Sequence, residues 1–343
     1  ITHPLFSDAI KPLADFYTNR GLRVMVVDIQ DIYDEFGDGE INPITIRDFL
    51  EYTYTNWIQP SPSFVLLVGD GNWDFKNLYN RNDPVLIPPY LKNVDPWIGE
   101  TAADNQYVTI SGLDILPDMA LGRFPFHTAD EADYAVARIL DHYQNYSGDW
   151  AKRALFVAGM YDPEAGDFPA LSDAVIDTIF IPNSVPVDKV YYMEPPFTTG
   201  AIANQTIKDS INEGRGLIHF SGHSNTNTWY GNANDFSSVL FDRTDVSTLT
   251  NQSKYPIIIS MTCLTGYYVI PGVKILDEHF LLNNNLGAVA TWSPTGKGVA
   301  SGHDLLDAGF FTAIYQDNVL SVGMAANQAK YYLYANSSLH REL

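Results

Sequence analysis

Three short runs in the second half of this chain are apolar on both faces: Ala154-Leu-Phe-Val-Ala158, Gly216-Leu-Ile-His-Phe220 and Pro256-Ile-Ile-Ile-Ser-Met261. A strand with one face in water alternates apolar and polar residues, whereas one covered on both faces does not. Segments of helical periodicity fall between these runs, near 168–180, 200–213 and 271–284. That alternation predicts an α/β fold, a mainly parallel sheet flanked by helices on both faces. Further strands are expected at Lys189–Tyr192 and Gly287–Trp292, and further helices at 302–316 and 320–336.

The first half repeats the alternation less regularly. Leu22–Asp28 and Phe64–Asp70 read as buried strands, with a helix over Ile46–Trp57 between them. Residues 71–103 read as a long loop, because Pro84, Pro88, Pro89 and Pro96 interrupt regular hydrogen bonding. Asp104–Ile110 and Pro117–Leu121 read as short strands, and Ala129–Tyr146 as a helix with Asp130 and Glu131 in its first turn. The pattern restarts around Ser147-Gly-Asp-Trp150, which divides the chain into two α/β subdomains, 1–150 and 151–343.

Composition narrows the partners. Twenty Lys and Arg against 41 Asp and Glu leave a formal charge of −21, which repels nucleic acid and anionic membranes. No apolar run approaches the roughly 18 residues that span a bilayer. One cysteine among 343 residues excludes an intrachain disulfide. The chain opens without Met at Ile1-Thr-His-Pro-Leu5 and closes at Leu-His-Arg-Glu-Leu343. It reads as a segment of a longer polypeptide, clipped after a first strand and before a last one, so the lack of a signal peptide carries no weight.

That one cysteine, Cys263, stands in the turn Thr262-Cys-Leu-Thr-Gly-Tyr267 that follows the third apolar run. His223 stands in Ser221-Gly-His-Ser-Asn-Thr226, after the second. Taken separately, a lone cysteine is usually a small buried hydrophobe and a lone histidine a structural residue. Jointly they occupy the carboxyl ends of strands, where parallel α/β sheets gather their chemistry, beside glycines (Gly222, Gly266) that permit close approach. A free thiol near its ordinary pKa of about 8.5 is mostly protonated at neutral pH. An adjacent imidazole stabilises the thiolate and later protonates a leaving amine. Backbone N–H donors for the oxyanion are expected from Cys263 and from the Gly222–Ser224 turn. Other chemistries fit less well. His219 and His223 lie on a strand and turn without a zinc-site partner, and Gly222-His-Ser-Asn-Thr226 lacks the last glycine of a serine-hydrolase elbow. Gly69-Asp-Gly71 lacks the lysine of a nucleotide loop.

Several segments, each weak alone, occur in a telling order: Asn19-Arg-Gly-Leu-Arg23, Val65-Leu-Leu-Val-Gly-Asp70, Ala103-Asp-Asn-Gln-Tyr107 and Pro117-Asp-Met-Ala-Leu-Gly-Arg-Phe124, then the His and Cys turns. In this order they resemble the gingipain-type cysteine peptidases, a bacterial branch of the caspase-like fold. The resemblance implies a C-terminal catalytic subdomain with Cys263 as nucleophile and His223 as general acid/base. It also implies a carboxylate against the histidine, from the loop after Ala154–Ala158. That loop offers Asp162, Glu164 and Asp167, of which Asp162 is favoured. Arginine-specific members place an aspartate eleven residues further on, here Asp173 (162 + 11), which equally reads as part of a helix cap. Ser221 and Met261 are expected to border the substrate.

Two departures stand out: Ser224 follows the histidine where the family has glycine, and the family's late Gly-Asp-Pro segment is absent. No cofactor is required by this chemistry. The acidic loops Asp70-Gly-Asn-Trp-Asp74 and Asp162-Pro-Glu-Ala-Gly-Asp167 read either as structural Ca²⁺ sites or as solvated turns. The function expected is a secreted or cell-surface bacterial cysteine endopeptidase. Its partners would be protein or peptide substrates, a pro-segment and further domains of the same polypeptide. Sortase-like transpeptidation and a non-catalytic caspase-like module are the alternatives.

Overall fold

The computed structural model describes residues 1–81 and 83–339; the expectation about the last residues, His340–Leu343, lies outside these. Helices α1 (Ser7–Asn19), α2 (Ile29–Phe36) and α3 (Pro43–Asn56) lead to β1 (Phe64–Val68). A hairpin of β2 (Leu91–Asp95) and β3 (Gly99–Ala102) follows, then a 3-10 turn at Asp104–Val108, β4 (Ala120–Phe124) and α4 (Ala129–Asn145). Helix α4 starts where a reciprocal cap forms, Thr128 accepting from the Glu131 N–H while Glu131 accepts from the Thr128 N–H. β1 and β4 pair in parallel.

The second half contains β5 (Ala154–Ala158), α5 (Phe168–Val175), β6 (Val187–Tyr191), α6 (Gly200–Glu213) and β7 (Leu217–Ser221). Next come three short strands, β8 (His223–Ser224), β9 (Thr228–Tyr230) and β10 (Val239–Asp242), and the helical turn α7 (Arg243–Val246). β11 (Ile257–Met261), α8 (Leu276–Leu282), β12 (Ala290–Trp292), α9 (Ala300–Tyr315) and α10 (Val322–Asn336) complete it. The large sheet has the order β12-β11-β7-β5-β6, parallel throughout.

Both faces of that sheet are dry, which is why its strands are continuously apolar. Phe156, Ala158, Ile259 and Met261 pack toward Phe168 of α5, Phe310 and Phe311 of α9, and Leu333 of α10. The alternate residues Leu155, Val157, Ile218 and Ile258 pack toward Ile207 and Ile211 of α6 and Phe280 of α8. Burying each such side chain contributes on the order of 1.5–3 kcal/mol, so strand register is firmly held. The two halves are tied by buried polar bonds. Arg138 of α4 donates to the carbonyls of Phe280, Leu281 and Ala288, and Tyr268 donates to Asp104. Among the described residues, no helix is long and apolar enough to cross a membrane.

The first half departs from the sequence pattern. Leu22–Asp28 is extended but forms no ladder strand, since among the described residues its β-pairing is one bridge to Thr2, which donates to Val27 O and accepts from the Ile29 N–H. Its Leu22, Val24, Met25 and Val26 are exposed. Residues 71–103 include the β2–β3 hairpin, because Pro96 falls at the hairpin turn and spares both strands. Asp104–Val108 is a 3-10 turn, and the strand expected from Pro117 begins at Ala120. α8 is shorter than the segment expected at 271–284. The antiparallel sheet β10-β9-β8, which carries His223 and Ser224, was not visible as a pattern.

Candidate active site

Register brings the predicted residues together. Ala158, Ser221 and Met261, the last residues of β5, β7 and β11, are direct neighbours across the sheet. The loops after these three strands carry Asp162, His223 and Cys263, so all three leave the sheet at one level on adjacent strands. Gly222 is needed at the second exit, because a Cβ there would lie 2.9 Å from the Phe220 ring and 3.2 Å from Gly159 N.

The Cys263 turn is fastened from its far side. Leu264 adopts the left-handed region (φ 59°), unfavourable for a branched side chain. It is held there by Leu264 N–H donating to Gly296 O at 2.9 Å and Gly266 N–H donating to Pro294 O at 3.0 Å. Cys263 itself forms an antiparallel bridge with Lys297. Sequence reasoning missed this 294–297 segment, although Gly296-Lys-Gly298 after a predicted strand is a local signal for a tight approach.

His223 is oriented by two contacts. Its Nε2 lies 3.1 Å from Asp162 Oδ2, and Phe168 packs edge-on against the ring at 5.2 Å. The Asp162 carboxylate is held below the usual range, first by the N–H groups of Glu164 and Ala165 donating to Oδ1 and further by His223. An ionised carboxylate only accepts, so Nε2 carries the proton and Nδ1 is the basic nitrogen left for a thiol. Glu164 and Asp167, the other acids of the loop, do not bond the histidine; Asp167 caps α5 at Ala170 N–H. A cavity of about 130 Å³, walled by Tyr161, Pro163 and Asn232–Asn234, adjoins Asp162 and His223.

Two N–H groups expected to face an oxyanion are already engaged, that of Gly222 by Met261 O at 3.4 Å. The Cys263 N–H donates to Ser224 Oγ at 3.2 Å. The same hydroxyl contacts Thr262 Oγ1 at 2.8 Å and the Cys263 carbonyl. Thr262, fully buried, also donates to Gly222 O at 2.7 Å. The side chains of Ser221 and Met261 are buried under the turns; Met261 borders a second cavity, about 340 Å³, between the two halves. Asp173 on α5 is paired: its Oδ1 accepts from Lys189 Nζ at 2.6 Å and Tyr191 OH at 2.7 Å. Beneath the site, the core residue His219 bonds Asp307 of α9 through Nε2 at 2.8 Å.

The two acidic loops separate. In 162–167 the carboxylates of Asp162 and Asp167 are occupied by backbone N–H groups and His223. In 70–74, Asp74 accepts from the N–H groups of Leu78 and Tyr79, whereas Asp70 gathers with Asp83 and His127, all ligand atoms within 4.8 Å of one another. Asp70 Oδ1 is buried without a hydrogen-bond partner. Burial opposes the charged His127 ring, but bonds to Asp70 and Glu131 prevail and push it up to about 10. Burial raises the neighbouring Glu278 carboxyl well above its usual range, Asp70 adding to the effect. Oxygen donors from Asp70 and Asp83 suit a hard cation, with the His127 imidazolium as their present counter-charge.

Comparison with known proteins agrees with this arrangement. The family model "Peptidase family C25" matches residues 1–342. Gingipain R2 of Porphyromonas gingivalis is 24% identical over 268 residues, which are 76% of this chain but only 31% of that protein. Gingipain R1 of the same organism is also 24% identical over 268 residues, 23% of its length. The chain thus matches less than a third of either relative. Its fold matches the crystal structure of the Arg-specific cysteine proteinase gingipain R, with TM-score 0.80, 19% identity, all of this chain and 73% of that one. The complex of Porphyromonas gingivalis RgpB pro- and mature domains is matched equally well, over 75% of that chain. The fold is thus the α/β, caspase-like one, and the chain belongs to peptidase family C25.

Proposed function

We propose that this chain is a cysteine endopeptidase acting through an acyl-enzyme on Cys263. The observation that carries the reading is the His223–Asp162 bond at the end of β7, one strand from the Cys263 turn. His223 Nδ1 takes the thiol proton, and the thiolate attacks the peptide carbonyl. The tetrahedral intermediate collapses as the imidazolium protonates the leaving amine, and water then hydrolyses the thioester. Asp162 fixes the tautomer and orientation of His223. Asp173 gives a preference for Arg or Lys at P1, supported by the Arg-specific proteinase of like fold. The P1 side chain must then share its carboxylate with Lys189 and Tyr191.

The bacterial relatives support a secreted or cell-surface setting, and the pro-domain complex of like fold supports a pro-segment. Asp70 and Asp83 would hold a structural Ca²⁺, which would supply charge neutralisation at this acidic cluster and no catalytic step. The test is labelling of the native protein with peptidyl acyloxymethyl ketones carrying Arg, Lys, Asp or Leu at P1, read by intact mass. One adduct on Cys263, lost in His223→Ala and formed fastest with Arg or Lys, is the expected result. Unlabelled native protein with unchanged circular dichroism, in reductant and calcium, would refute it. That outcome would favour the non-catalytic module, for which the occupied Cys263 N–H is the supporting contact.

A further inference from the structure

The Cys263 amide is the donor that a tetrahedral intermediate on Cys263 most needs, yet its N–H points at a side-chain oxygen of the same chain. The hydroxyls of Ser224 and Thr262 can be arranged in three ways, since each has one proton. In one, Thr262 donates to Gly222 O and Ser224 to the Cys263 carbonyl. In another, Thr262 donates to Gly222 O and the Ser224 hydroxyl turns its proton to Thr262 Oγ1 across the 2.8 Å contact. In the last, Thr262 donates to Ser224 and Ser224 donates to the Cys263 carbonyl. All three leave Ser224 Oγ as the acceptor of the Cys263 N–H. The slot is therefore filled, before substrate arrives, by a neutral oxygen standing where the oxyanion would go.

We infer that Ser224 is an internal gate on the oxyanion site, holding the Cys263 amide closed until its side chain rotates away. The inference rests on the peptidase reading of Cys263. Backbone movement does not open this gate: β7 and β11 are paired over five residues and buried on both faces, and Thr262 ties Gly222 to the Cys263 turn. Rotation about the Ser224 Cα–Cβ bond breaks the Cys263 N–H contact and leaves Thr262 with Gly222 O. Opening thus costs one or two neutral hydrogen bonds, a factor of roughly five to ten each.

Two reagents separate this gate from the reactivity of the thiol. Iodoacetamide alkylates Cys263 by displacing iodide, with no charge on a carbonyl oxygen. A peptide aldehyde adds the thiol across its carbonyl: the S–C bond forms, the π pair moves to oxygen, and the thiol proton ends on that oxygen. Only the second needs the Cys263 N–H. Expected for Ser224→Gly and for Ser224→Ala is tighter aldehyde binding, by roughly fivefold to a hundredfold for one or two bonds, with the iodoacetamide rate on Cys263 unchanged. The gain in Ser224→Ala assigns the effect to the hydroxyl and not to the Cβ.

Equal aldehyde affinity in native and variant proteins would overturn the gate alone. Weaker binding in both variants would overturn it by making the hydroxyl a donor to the oxyanion. No aldehyde binding in any of the three, with Cys263 still alkylated, would overturn the gate and the peptidase reading together. Circular dichroism and melting temperature accompany each variant, and Ser224→Thr, which keeps the hydroxyl, is expected to stay closed.

Discussion

Replacing Asp162 by asparagine probes the histidine through its proton. The new side chain keeps its shape, so Oδ1 still accepts the N–H groups of Glu164 and Ala165, at 2.8 and 3.0 Å in the native chain. Those two bonds aim the amide nitrogen at His223 Nε2, which sits 3.1 Å from the native Oδ2. An NH₂ group only donates, so Nε2 must accept and the ring proton moves to Nδ1. The nitrogen that should take the thiol proton then already carries one. A charge-assisted hydrogen bond is worth about 1.5–3 kcal/mol, and about 1.4 kcal/mol is a tenfold change in rate. The expected loss in kcat/KM is therefore roughly ten- to a hundredfold.

The pH dependence carries a sign. Asp162 has a depressed folded pKa, so its anchoring of the loop is complete above the ordinary carboxylate value and is lost only as pH falls through the lower folded one. An acid limb of kcat/KM near neutrality then does not come from Asp162; burial pushes the carboxyl of Asp277, whose N–H donates to Thr265 O of the Cys263 turn, up to about 7. The assay is hydrolysis of a fluorogenic peptide from about pH 4 to 9 in native protein and variant, with iodoacetamide rates over the same range. Retention of kcat/KM within about twofold, at unchanged circular dichroism, would refute the role given to Asp162.

Three other perturbations test separate parts of the structure. Lys189→Ala removes the ammonium from Asp173 Oδ1. Cleavage after Arg should rise by up to about fivefold, the scale of a partly exposed ion pair, with a Leu substrate unaffected; equal changes on both would detach Asp173 from P1. Adding Ca²⁺ at about a hundred times its Kd should stabilise the native protein by about 2.7 kcal/mol over an EDTA control. This is read by thermal melting and abolished in Asp70→Asn; coincident melts for the native protein would exclude the site. Asp307→Ala strands the His219 Nε2 in the core and should cost about 1–3 kcal/mol. A melting temperature equal to the native one would show that this bond contributes nothing.

The legible part of the molecule is the part whose residues report their own burial. β5, β7 and β11 lie dry on both faces, so composition alone marks them, and side-chain periodicity then fixes what sits at their ends. The first half is harder because its elements are shared with distant chain. Leu22–Asp28 has a strand's composition but, among the described residues, a single β-bridge, to Thr2, and a local pattern carries no count of available strand partners. Likewise Pro96 argues against structure in 71–103 unless it is known to fall in a turn, which β2 and β3 decide together. The Asp162 choice was legible as one of three loop acids; what separates it from Glu164 and Asp167 is the loop's internal hydrogen bonding.

Ser224 marks where reading by residue type ends. As a residue type it signals only a missing glycine and an added Cβ. Its effect on Cys263 arises from a hydroxyl meeting an amide 39 positions away, through a contact set by the β7–β11 register and one side-chain torsion. The strands on either side are rigid and the moving part is a single rotor, whose reorientation takes place on a picosecond-to-nanosecond scale. Opening is then far faster than any chemical step. The gate therefore acts as an equilibrium factor on every turnover, lowering the rate by the closed fraction, and gives no lag before the reaction begins.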